Sequence, residues 1–208
     1  MAISIESSPP PGWDREGIDG LLGLFPPGRL SEIVGPRSSG GSSLLLALVS
    51  RVTTSGSGQV AFVDAMDALD PASAAAAGVD LSALLWVKCG GRQRTALSAT
   101  DLLVRCPGFS MIVLDLDDLG PVPASAQIRL QRAVEGSDTV LVVRGIRHRE
   151  GSPASLVVAT RRVAPRWMGL RPLTRLAGFR SEISVARSRG LPSSPRGEGS
   201  SWTLDWTL

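Results

Sequence analysis

The chain contains no tyrosine, one histidine, one lysine and two cysteines among its 208 residues. Two cysteines, Cys89 and Cys106, are too few for a disulfide framework, and His148 alone cannot join them in a zinc site. That usage points to a reducing compartment, taken here as the cytoplasm. Apolar runs are short: the longest, such as 43–49 and 139–143, fall far below the roughly 20 residues of a membrane helix, so no membrane association is expected. The N-terminal MAISIESSPPPGW has no basic start followed by an apolar core, so no secretory signal is expected either. Because Lys88 is the one lysine among 22 basic side chains, nearly every positive charge is a planar guanidinium.

What is present describes a packed globule: 43% hydrophobic residues and a mean hydropathy of +0.14. The net charge of +3 hides an asymmetry. Residues 1–143 carry 10 basic and 15 acidic side chains, whereas residues 144–208 carry 12 basic, all arginine, and 4 acidic ones. Arg161, Arg162, Arg166, Arg171, Arg175 and Arg180 fall within one stretch of twenty residues. Such a cluster suits bidentate contact with DNA phosphates or with the carboxylates of an acidic partner; a solvated basic face is the alternative.

The stretch GPRSSGGSS, from Gly35 to Ser43, has the outline of a phosphate-binding loop. In G-x-x-x-x-G-K-[ST], backbone N–H groups cradle the phosphates, the lysine neutralises them and the hydroxyl reaches Mg²⁺. Gly35, Gly40 and Ser42 fit this pattern, but the lysine position is Gly41. Around the loop, 30–34 reads as a buried strand and 42–54 as a helix. Further strands are expected at 59–64, 84–88, 111–115 and 139–144, and helices at 71–77, 93–105 and 124–134. This alternation predicts an α/β fold with a mostly parallel sheet covered by helices on both faces. Beyond Arg144, 155–162, 182–187 and 201–208 read as strands with no helix between the last two, which predicts an antiparallel edge. In SWTLDWTL, the alternation of Trp202, Leu204, Trp206 and Leu208 predicts one buried face. Residues 13–24 read as a short amphipathic helix after a flexible lead, and 191–200 as a hairpin loop.

The segments GRLSEIVGPRSSGGSSLLLALV, QVAFVDAMDALDPASAAAAGVDLSALLWV and SMIVLDLDDL resemble the ATPase core of the bacterial recombinase RecA, from about residue 28 to 162. FVDAxxALDP and GVDLxxLL carry more of that resemblance than the loop does. Within the group, the LLWV run, the DLxDLG after the fourth strand and the Arg-rich closing hairpin are most similar to the ImuA branch. These are short RecA-related accessories of damage-induced mutagenesis, encoded beside the polymerase-like ImuB and an error-prone replicative polymerase. The resemblance implies a RecA-like P-loop core at 28–162, preceded by a lead with a short helix at 1–27. It is followed by an Arg-rich extension at 163–208 that adds a hairpin to the same sheet.

It also implies a loss of chemistry. The lysine position is Gly41, and the position of the family's water-activating glutamate, two residues after Asp64, is Met66. Asp115 stands where a magnesium-coordinating aspartate would sit, Ser42 retains a hydroxyl, and Asp117 with Asp118 reads as a solvated turn. The reading is therefore of a non-enzyme that uses no cofactor and no metal. It is expected to bind RecA, the mutagenic polymerase subunits (the ImuB-like protein and the error-prone replicative polymerase), or both, with single-stranded DNA as a further partner, in the nucleoid-associated cytoplasm. Two alternatives stand beside it: an ATP-dependent DNA-binding protein that borrows an arginine such as Arg37, and a division inhibitor of the SulA kind.

Overall fold

The computed structural model describes residues 20–56, 58–148, 150–170, 173–189 and 199–207. Eight strands form one sheet: β1 (Leu30–Val34), β2 (Gln59–Asp64), β3 (Leu84–Lys88), β4 (Phe109–Asp115), β5 (Val140–Gly145), β6 (Leu156–Met168), β7 (Arg175–Ser188) and β8 (Ser201–Thr207). Their spatial order is β3-β2-β4-β5-β1-β6-β7-β8. The strands from β3 to β6 run parallel, and β7 and β8 add antiparallel to the β6 edge. The α/β architecture and the antiparallel edge are those expected from the sequence.

The sheet is buried on both faces because its central strands are mostly apolar on both, and their apolar side chains divide by parity. Val60, Phe62, Met111, Val113 and Val142 face one apolar cluster, together with helix α1 (Gly41–Thr54). Ala61, Val63, Ile112, Leu114 and Leu141 face the other, with α3 (Gln93–Val104) and α4 (Ala124–Val134). A short helix, α2 (Pro71–Ala76), begins with Pro71 at its first turn and is capped by Asp70, which accepts from Ser73 N at 2.9 Å. Of the N-terminal helix, only 20–22 lies within the described residues. Leu21, Leu24 and Phe25 are buried in the α1-side core, so this end of the segment packs on its own domain. The hairpin loop at 191–198 and Leu208 lie outside the described residues.

Two strands are much longer than expected. β6 runs unbroken across 162–163, the expected core boundary, and β7 begins seven residues before 182. In β8, Leu204 and Trp206 are buried in the α1-side core, with Trp202 packed against it, as the alternation predicts.

Candidate functional site

The C-terminal ends of the parallel strands converge on the segment between β1 and α1, the position where open α/β sheets place ligands. Gly35, Gly40, Gly41 and Ser42 all line one cavity of about 90 Å³ there, together with Arg144, Gly145 and Phe179. Gly40 adopts φ 97° at the N-cap of α1, and no side chain caps the helix. A Cβ on Gly40 would come 2.4 Å from Ser181 Oγ, and one on Gly35 would come 2.2 Å from Thr160 Oγ1. Ser39 Oγ and Thr160 Oγ1 are 2.6 Å apart in a buried hydrogen bond. The loop is thus backed tightly by β6 and β7, and its two outer glycines are there because nothing larger fits.

Position 41 is different. A Cβ there would sit in ordinary contact, 3.5 Å from Thr160 Oγ1 and 3.9 Å from Arg144 Cδ. Arg144, the penultimate residue of β5, is in register with Asp115 on β4. Its Nε donates to Asp115 Oδ1 at 2.7 Å, and its Nη2 lies 3.4 Å from Asp117 Oδ1. Both side chains of the Arg144–Asp115 pair are largely buried. Burial pushes the Asp115 carboxyl above its ordinary value, against the pull of the guanidinium. Asp117, with φ 44°, also accepts from Arg37 Nη2 at 2.8 Å. Arg37 therefore points to the β4 turn, and Asp117 is an ion-paired member of this network, unlike the solvated turn expected from the sequence; Asp118 is exposed. Arg144 went unrecognised in the sequence because its partner becomes visible only once β4 and β5 are known to be parallel neighbours.

The three aspartates of FVDAMDALDP have structural duties. Buried Asp64 accepts from Ala68 N, Leu69 N and Trp86 Nε1, and Asp67, at φ 56°, accepts from Cys89 N and Gly90 N. Between them Met66 is 37% exposed. Among the described residues, no three of His, Cys, Asp or Glu converge on a point that could hold a metal ion.

Residues 15–147 match the RecA N-terminal domain. This chain belongs to the RecA family. RecA proteins of Rickettsia canadensis (strain McKiel) and Borrelia hermsii (strain HS1 / DAH) are 41% identical to it over 101 residues and 42% over 94, respectively. Those alignments take in 48% and 45% of this chain but only 29% and 26% of the relatives, so the shared part is under a third of a whole RecA protein. The RadB recombinase structure superposes with a TM-score of 0.62 at 16% identity, over 88% of this chain and 91% of that one, a likeness of fold.

The RecA-like core carries its arginine cluster on β6 and β7. Arg161 pairs with Glu182, and Arg180 makes a two-point contact with Asp205 at 2.9 and 3.0 Å. Arg162, Arg166 and Arg175 are exposed, with no ion pair among the described residues; Arg171 lies outside them. The structure therefore separates the six into two ion-paired residues, three exposed arginines, of which Arg175 donates to Met168 Sδ at 3.7 Å and Arg166 acts electrostatically on Asp205, and one residue it does not describe.

Proposed function

We propose that this chain is a non-catalytic RecA-family accessory protein of DNA-damage-induced translesion synthesis, of the ImuA kind. It acts in the cytoplasm, at the nucleoid, by binding RecA, the ImuB-like protein, the error-prone polymerase, or a combination of them. The observation that carries this reading is Arg144. Its guanidinium is held by Asp115 and Asp117, and the Arg144 Cδ lies 3.9 Å from where a Cβ on Gly41, the family's phosphate-clamping lysine position, would sit. The residues present do not fit a magnesium nucleotide: the carboxylate that would hold the metal is already neutralised from within the protein, and position 41 offers no ammonium. With Met66 in place of a base, the two largest contributions to phosphoryl-transfer catalysis are missing together. The unpartnered N–H groups at the start of α1 leave room for weak anion binding at most.

A RecA filament holds ATP between neighbouring protomers, as the family resemblance implies. A look-alike docked on a filament end would leave the next interface without its nucleotide, and so cap the filament while leaving single-stranded DNA to the polymerase. The test is to add this protein in substoichiometric amounts to RecA filaments and to follow strand exchange and filament length. Shortened filaments and slowed exchange are expected. Unchanged exchange together with no binary complex with RecA would overturn capping. The ATP-dependent alternative would take an arginine such as Arg37, or one from a neighbouring subunit, to the phosphates; Arg37 itself is engaged by Asp117.

A further inference from the structure

The β6–β7 hairpin outruns the sheet it belongs to. β1 accompanies β6 only as far as Ala159, and β8 accompanies β7 only as far as Gly178, while the two strands go on pairing with each other to Met168 and Arg175. From Thr160 the hairpin forms an arm flanked by β8 alone, as far as the Arg166–Gly178 pair, and only the Trp167–Leu176 and Met168–Arg175 pairs at its tip lie clear of every other strand. Its turn is closed by Leu173 N–H donating to Leu170 O at 2.8 Å. Gly169 permits that closure at φ 109°, since a Cβ there would lie 2.4 Å from Leu173 O.

Every described residue from Arg161 to Leu176 is exposed. Six of them are large and apolar: Val163, Trp167, Met168, Leu170, Leu173 and Leu176, from 41% exposed at Leu176 to 88% at Leu170. A hairpin tip with no third strand has little of its own to stabilise it, and exposed apolar side chains concentrated there mark a place where another molecule docks.

Charge selects the occupant. No acidic residue lies between Glu150 and Glu182, whereas six arginines do. Arg161 and Arg180 are neutralised by close ion pairs, whereas Arg162, Arg166 and Arg175 are exposed and make no ion pair among the described residues. Their complement is a surface of carboxylates set among apolar side chains. Nucleic acid matches less of the arm: phosphates would take the arginines and one base would stack on Trp167, but Leu170, Leu173 and Leu176 would gain nothing.

The geometry points to the β6–β7 arm as the docking site for an acidic amphipathic segment of a partner protein, which covers Trp167, Leu170 and Leu173 and pairs its carboxylates with Arg162, Arg166 and Arg175. This deepens the accessory reading by giving it a surface, and it rests on that reading only for which protein supplies the segment.

The full chain is titrated with a labelled designed helical peptide carrying leucines on one face and glutamates on the other. The same titration is run with oligo(dT) and with phosphatidylglycerol vesicles, and sedimentation reports self-association. The expected result is saturable peptide binding, weakened at least about tenfold by Leu170→Ser/Leu173→Ser and by Arg166→Glu/Arg175→Glu. Only the contribution of the arginines should fade with added salt. Melting temperature should be unchanged in both double variants, since neither removes a buried side chain. Peptide affinity within about twofold of wild type in the leucine variant would overturn the proposal. So would binding of oligo(dT) or vesicles with no peptide binding, or self-association that the leucine variant abolishes, since the occupant would then be nucleic acid, lipid or a second copy. ATP turnover is a separate readout: activity with intact peptide binding would defeat the accessory reading and spare the arm, and the converse would spare the reading.

Discussion

Arg144 and Gly40 show how single residues fix the loop. Removing one partner of a buried ion pair strands the other's charge, so Arg144→Leu should lower stability by about 3 kcal/mol, and Arg144→Leu/Asp115→Leu should recover most of it. The pH dependence has a definite sign. Burial raises the folded-state value of Asp115, so the cost of its charge is present at neutral pH and relieved as pH falls through that value; the Arg144→Leu deficit should shrink in mild acid. Chemical denaturation at pH 7 and pH 5 measures both, and a deficit that grows in acid would contradict the assignment. Gly40→Ala meets Ser181 Oγ at a positive φ, and a loss of about 2 kcal/mol is expected in the same assay. The role of the FVDAMDALDP aspartates was not readable from the sequence, because a carboxylate at a strand end looks the same whether it binds a metal or three N–H groups.

At the level of elements, the parallel strands and their helices were legible to within a residue or two, since buried strands read as continuous apolar runs and helices as 3.6-residue stripes. The outer halves of β6 and β7 were not. From Arg161 to Met168 every β6 side chain is exposed, so no alternation of burial marks that half, and Pro165 reads as a strand breaker. β1 has stopped pairing with β6 by Ala159, so Pro165 lies on an edge, the kind of strand position where proline is tolerated. The last strand is held partly by charge. Arg180 keeps the Asp205 carboxyl below its ordinary value, so the tie stabilises β8 above pH 3.8 and is lost as pH falls further through the folded-state value. Both groups are well exposed, so Asp205→Asn should cost less than about 1 kcal/mol at pH 7. The difference from wild type should vanish in thermal melts taken below that range; a gap that persists there would mean the contact is not ionic.

Across the whole molecule, the acidic first two-thirds and the arginine-rich remainder lie at different parts of one sheet, with the arm extending from the basic edge. If the exposed arginines also meet DNA, single-stranded DNA affinity should fall steeply between 50 and 200 mM salt, as expected when several phosphates are neutralised. Arg162→Ala/Arg175→Ala should flatten that slope, and a slope unchanged in the variant would place the contact elsewhere. The fold class and the glycine at the lysine position were both visible in the sequence, whereas the approach of Arg144 to Asp115 beside the loop depends on the register of β4 with β5. The most direct test of the non-catalytic reading is phosphate release from Mg-ATP, with and without single-stranded DNA, by the wild-type chain and by Gly41→Lys. No release above background is expected from either, because the restored ammonium would meet the Arg144 guanidinium and Met66 supplies no base. Turnover at RecA-like rates by the wild-type chain would contradict it.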